Sequence, residues 1–146
     1  MDQLQGAATA AEVYRRALEL ILERLKPERA LVLYGYDEQD QLKPQAGHNL
    51  DPATVLLAGD VSLGILQDAL DAGEPKMLVD AMQDPRFGDR TSAVLSGIRS
   101  VLSCPIGDNE GLIYLDSRIQ TAAFKQTDLP WLADLSKAMQ DRLSQL

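Results

Sequence analysis

The stretch SVLSCPIGDNEGLIYLDS, residues 100–117, decides the fold. It holds two apolar runs, Ser100–Ile106 and Leu112–Ser117, on either side of Gly107-Asp108-Asn109-Glu110-Gly111. Glycine enters left-handed backbone without steric cost, and Asp and Asn hydrogen-bond their own backbone, so the middle segment is a strong turn. The two runs read as strands joined in a tight hairpin.

Upstream, Ala30–Tyr36 is a short apolar run that ends at Gly35 and the polar turn 37–41, and it reads as a strand buried on both faces. Leu42–Ala46 makes the return strand of a second hairpin, and 47–60 reads mostly as loop. Ser62 is placed to cap a helix carrying Leu63, Leu66, Ala69 and Leu70, which Gly73 and Pro75 end. Lys76–Val79 is a short strand, and Asp80–Thr91 is a polar loop around a lone Phe87. Thr91 or Ser92 caps a single helical turn closing at Gly97.

The chain ends are helical. From about Ala8 to Lys26, Tyr14, Leu18, Ile21, Leu22 and Leu25 recur at helical spacing, with Val13, Ala17 and Leu20 widening the stripe, and Pro27 stops the helix. The stripe is broader than one sheet contact requires, so the helix is expected to pack on its own domain and on a partner. Thr127 is expected to cap a last helix with Pro130 in its first turn and Leu132, Leu135, Met139 and Leu143 on its buried face. It still reads as helical at Leu146, which fits a natural end or a cut before an effector domain. Strands that pair as hairpins imply an antiparallel sheet, and the two end helices can cover one face of it together.

The totals narrow the function. The length of 146 residues suits one domain, residues 1–146. A net charge of −8, with no cluster of Lys and Arg, argues against nucleic acid and against an anionic membrane surface. The start of the chain is not a signal peptide, and no apolar run approaches membrane-spanning length, so a cytoplasmic location is expected. Cys104 and His48 are the only residues of their types. That leaves no intrachain disulfide and no cysteine-rich metal site, and any Ser-His or Cys-His pair must use His48.

Several segments resemble the GAF domains attached to bacterial adenylate cyclases, sensor kinases and enhancer-binding activators. Gly73-Glu74-Pro75, Met77-Leu78-Val79-Asp80 and Asp84-Pro85-Arg86-Phe87 resemble the middle of such domains. Gly97–Ile106 resembles their fourth strand and Gly111–Ser117 their fifth. Phe124, Asp128 and Leu129 resemble the entry to the final helix. The resemblance implies a PAS-like α+β fold, layered α/β/α. A central antiparallel sheet of five to six strands carries the N- and C-terminal helices on one face and a pocket of loop and short helix on the other. On this chain that gives an N-terminal helix at about 8–26, sheet and pocket over 30–117, and a C-terminal helix at 128–146. The 106–112 hairpin is shorter than is usual for this flavour of the family.

The resemblance also raises chemistries that the residues do not complete. Methionine sulfoxide reduction in this family needs an attacking and a resolving cysteine, and this chain has only Cys104, in an apolar strand where a lone cysteine packs as a small core residue. Bilin attachment needs a cysteine that commonly stands next to a histidine, whereas Pro105 follows Cys104. The Asn-Lys…Phe…Asp-Glu signature of cyclic-nucleotide binders cannot be laid on the sequence, and no glycine-rich phosphate loop is present. Asp80, Asp84 and Asp116 match no calcium loop. No catalytic residue, metal or cofactor is therefore expected.

The leading expectation is a non-enzymatic regulatory module, with a dedicated small-molecule receptor for an anion or nucleotide as the alternative and a thiol-dependent sulfoxide reductase as a remote one. The family resemblance implies a pocket lined by Tyr34, Phe87 and Tyr114, with Asp80, Arg86 and Ser100 as orienting polar groups. Arg86 or Arg99 can neutralise an anionic ligand, although the first reading of either is a surface or salt-bridge arginine. The end helices are expected to associate through Tyr14, Leu18, Leu22, Leu132, Met139 and Leu143, forming a homodimer or docking on a protein partner or fused effector. A ligand would then act by favouring one helix arrangement over another.

Overall fold

The computed structural model describes residues 1–85 and 97–146. Among the described residues the expected elements come in the expected order, with one short α-helix, Val55–Ala58, added. Helix α1 (Ala10–Leu25) leads into β1 (Arg29–Tyr36) and β2 (Leu42–His48), followed by α2 (Val55–Ala58) and α3 (Leu63–Ala72). Then come β3 (Lys76–Leu78), β4 (Ser100–Ile106), β5 (Gly111–Ser117) and the last helix, α4 (Asp128–Leu143). The five strands form one sheet in the order β2-β1-β5-β4-β3, and every neighbouring pair is antiparallel.

Local chemistry sets the ends of the elements. Thr9 caps α1 by accepting from the Glu12 amide, and the Glu12 carboxylate returns to the Ala8 amide, a capping-box arrangement. Lys26 then closes α1 in left-handed backbone just before Pro27. The Ser62 hydroxyl accepts from the Ile65 amide at 3.2 Å, so the predicted cap of α3 is made. Thr127 does not cap α4. Asp128 holds that turn instead, its carboxylate accepting from the Lys125 amide. The segment 47–60, read as loop, contains the one-turn helix α2, which Gly59 ends.

The sheet separates two apolar cores. On one face α1 and α4 cover Ala30 and Val32 of β1, Leu102, Cys104 and Ile106 of β4, and Ile113 and Leu115 of β5. On the other, α2 and α3 cover Leu31, Leu33, Val101, Leu112 and Tyr114. Every residue of β4 and β5 is buried. The buried centre of α1 is Val13, Tyr14, Ala17 and Ile21, so Leu18 and Leu22 lie on its flank. The two end helices run antiparallel. Arg24 near the end of α1 lies 5.9 Å over the Trp131 ring at the start of α4, and Arg142 near the end of α4 donates to the Ala7 carbonyl ahead of α1.

One ion pair joins the outer ends of β1 and β5. Arg29 and Asp116 are register partners, and the Arg29 guanidinium donates to both Asp116 oxygens, at 2.7 and 2.5 Å. The pair is 3% and 0% exposed, and the Tyr114 hydroxyl also donates to Asp116. Beyond β4, the turn residue Gly107 has φ +61, and a Cβ there would stand 2.0 Å from the Gln140 amide oxygen of α4.

Two stability predictions follow from these contacts. Asp116→Ala leaves the Arg29 charge buried without its partner and should cost about 3–5 kcal/mol, with a Tm lower by on the order of 10 °C. Gly107→Ala forces left-handed backbone on a residue with a Cβ and makes the end of the Gln140 side chain move aside, and the backbone strain should lower stability by about 1–2 kcal/mol in denaturant titration.

Candidate functional site

Alternation along β1 and β5 assigns the two central tyrosines of the expected pocket to different faces. Successive strand side chains point to opposite sides. Tyr34 therefore sits in the layer of the terminal helices, its ring 5.8 Å from that of Tyr14 and its hydroxyl donating to Glu110 at 2.9 Å. Burial and the Glu110 carboxylate push its phenol up to about 12. Tyr114 faces α3, is fully buried, and spends its hydroxyl on Asp116. Burial, reinforced by Asp116, pushes that phenol well above its ordinary value. The two rings cannot line one cavity.

The polar groups assigned to the pocket are engaged internally. Both Asp80 oxygens accept from the Arg99 guanidinium, at 3.0 and 2.8 Å, and the Met82 amide donates to the same carboxylate. Arg99 holds the Asp80 carboxyl below its ordinary value. This bridge, with the Ala81 amide donating to the Arg99 carbonyl, ties together the two ends of the 81–98 segment. The buried Ser100 hydroxyl donates to the Gln120 carbonyl at 2.5 Å and accepts from the Ala123 amide, fixing β4 to the chain that follows β5. Arg86, Phe87 and the helical turn expected at 91–97 lie outside the described residues, apart from Gly97 itself.

The expected interface residues also divide. Tyr14, Leu132 and Met139 are buried in the domain's own core, because the stripes of α1 and α4 meet each other and the sheet. They are not available to a second chain. Leu18, Leu22 and Leu143 remain half-buried.

Cys104 is sealed on the same face. It is 3% exposed and packs among the apolar residues beneath α4. Burial pushes its thiol up to about 11, with the neighbouring Ser136 hydroxyl pulling weakly the other way. His48 closes β2 at the far edge of the sheet, with β1 and β5 between it and the strand of Cys104. Among the described residues no three His, Cys, Asp or Glu side chains gather to hold a metal ion, and no helix is long and apolar enough to cross a membrane.

An open groove lies at the other end of the sheet, between the β1–β2 turn and α3, and it was not visible in the sequence. Its volume is about 570 Å³. Leu33, Leu56, Leu63, Leu66 and Leu70 form its walls, and Tyr36 and the turn residues Gln39, Asp40 and Gln41 form its rim. A β-bulge builds it. Gly35, at φ +80, shifts the register between Leu33 and Tyr36, so Tyr36 joins Leu33 on the groove side rather than alternating away. The Tyr36 hydroxyl is anchored to the Asn109 carbonyl at 2.6 Å. Asp37 shapes the turn by accepting from the Gln39 and Gln41 amides. The signal for this site was Gly35 between two tyrosines, next to the leucine-rich face of α3.

Solved structures share the fold at low sequence identity. A GAF domain/HD domain protein from Geobacter sulfurreducens superposes with a TM-score of 0.71 at 16% identity, covering 97% of this chain and 96% of that one. Residues 122 to 287 of a methyl-accepting chemotaxis protein give 0.74 at 19%, covering 99% and 94%. The free methionine-R-sulfoxide reductase from Neisseria meningitidis, solved with its substrate, gives 0.72 at 17%, covering 98% and 83%. No curated protein sequence matches the chain. The GAF domain family model matches residues 9–140, from the cap of α1 to the last turns of α4, and the chain therefore belongs to the GAF domain family.

Proposed function

We propose that this GAF domain is a non-catalytic regulatory module that dimerises through the outer side of its terminal-helix layer. The observation that carries this reading is the layer itself. The antiparallel α1–α4 pair fills its core with Tyr14, Leu132 and Met139 and still leaves Leu18, Leu22 and Leu143 part-exposed. Part-exposed apolar side chains beside a filled core offer a surface for association where they lie together in one patch. A shift in how the two helices pack would pass to whatever they contact, in a second copy or a fused effector.

The thiol argues in the same direction. A nucleophilic cysteine needs an exposed, electropositive setting that favours the thiolate. Cys104 has neither, and its only histidine candidate is on another edge of the sheet. The sulfoxide reductases among the structural neighbours share the fold at 17 and 18% identity, which does not extend to their chemistry.

A second reading, a small-molecule receptor, is favoured by the groove beside α3. Its volume falls within the roughly 300–1,000 Å³ typical of ligand sites, and its walls are apolar with a polar rim.

Sedimentation velocity at micromolar concentration should show a dimer, and Leu22→Glu should shift it to monomer without changing the circular dichroism spectrum. A monomeric wild-type protein removes the dimer. In a thiol assay at pH 8, the folded protein should label at least a hundredfold more slowly than the urea-unfolded chain. Fast labelling of the folded state would return the thiol-enzyme reading.

A further inference from the structure

The groove beside α3 carries a statement about ligand chemistry that the family does not supply. It rests on the receptor reading above. Six leucines line it, Leu42 among them, and Leu63 is half exposed, so the apolar surface reaches the opening. None of the lining residues is Lys, Arg or His. Among the described residues the one charged group at the rim is Asp40, at the top of the 37–41 turn, where φ is +60 and the side chain is exposed. Asp37 is occupied in holding the turn, whereas the Asp40 carboxylate makes no hydrogen bond or ion pair among the described residues. The nearest cation on the adjoining strand, Lys43, lies against Gly35 and is not part of the lining. The chain as a whole carries −8.

These features select one kind of occupant. An apolar body gains by leaving water along the leucine walls. An anionic head would meet the Asp40 carboxylate in a net negative field, with no donor cation to offset it. A cationic head meets a free carboxylate. We infer that the groove binds a small amphiphile with a cationic head, its alkyl chain laid along Leu33, Leu56, Leu63, Leu66 and Leu70 and its ammonium group at Asp40. This departs from the anion or nucleotide that an arginine-based pocket would take.

The test uses three probes with the same tail, each below its micelle concentration: octyltrimethylammonium, octyl glucoside and octyl sulfate. Binding is followed by calorimetry and by amide chemical shifts on the whole chain. The cation should bind best and the sulfate worst, with shifts confined to 33–42 and 56–70. Lengthening the cation's tail from hexyl to octyl should tighten binding by roughly fourfold per methylene buried. Asp40→Asn, which keeps a residue tolerant of left-handed backbone, should weaken the cation by about two- to fivefold and leave octyl glucoside unchanged. Leu63→Gln, on the exposed side of α3, should weaken all three.

Equal binding of the three heads, or an Asp40→Asn variant that binds the cation like the wild type, overturns the ligand class and leaves the receptor reading standing. Absence of binding by every probe, or shifts elsewhere in the domain, overturns both.

Discussion

The sheet is covered on both faces, and that constraint governs the rest of the molecule. With α1 and α4 on one side and α2 and α3 on the other, β4 and β5 have no solvent face at all. Each strand residue is committed by parity to one of two cores that do not communicate across the backbone. A one-residue slip would exchange the cores, so register is strongly fixed. The same parity divides Tyr34 from Tyr114, although the two look equivalent when the strands are laid side by side.

Polar groups inside this frame serve as fastenings. Arg29, Asp116 and Tyr114 tie the outer ends of β1 and β5 in a place where an unpaired charge would be costly. Asp80 and Arg99 tie the base of the 81–98 segment, and Ser100 ties β4 to the chain leading into α4. At the opposite end Tyr34 and Tyr36 bind the β4–β5 turn from either side of Gly35. Among the described residues, Asp80, Arg99, Ser100, Tyr34 and Tyr114, which look like ligand-binding groups in a linear reading, are engaged with one another or with the backbone or a carboxylate. The described part of the domain offers surfaces and a groove, and Cys104 is packed among apolar residues under α4.

The groove arises where the regular pattern breaks. A strand without the Gly35 bulge would send Tyr36 to the helix layer and leave the end of α3 without a facing wall. The bulge turns the end of the β1–β2 hairpin toward α3 and sets Asp40 at the rim of a groove lined by six leucines. Bulges of this kind re-aim single side chains at low cost to the sheet.

The main elements and the two hairpin pairings, β1 with β2 and β4 with β5, are legible along the chain. Apolar runs bounded by Gly, Asn, Asp and Pro fixed five strands, the Gly107–Gly111 turn fixed the β4–β5 hairpin, and helical spacing fixed α1, α3 and α4, because these signals are local in the chain. The sequence also marked Cys104 as a core residue. Only the tertiary structure decided which apolar residues of α1 and α4 were consumed by their own domain, since Tyr14 and Leu22 have the same spacing but different neighbours. It alone paired Asp80 with Arg99, 19 residues apart, and Arg29 with Asp116, 87 apart. It alone made a groove from α3 and a hairpin. Hydrogen bonds, ion pairs and cavities are relations between segments distant along the chain, and a periodicity read along one segment carries no information about which other segment comes to face it.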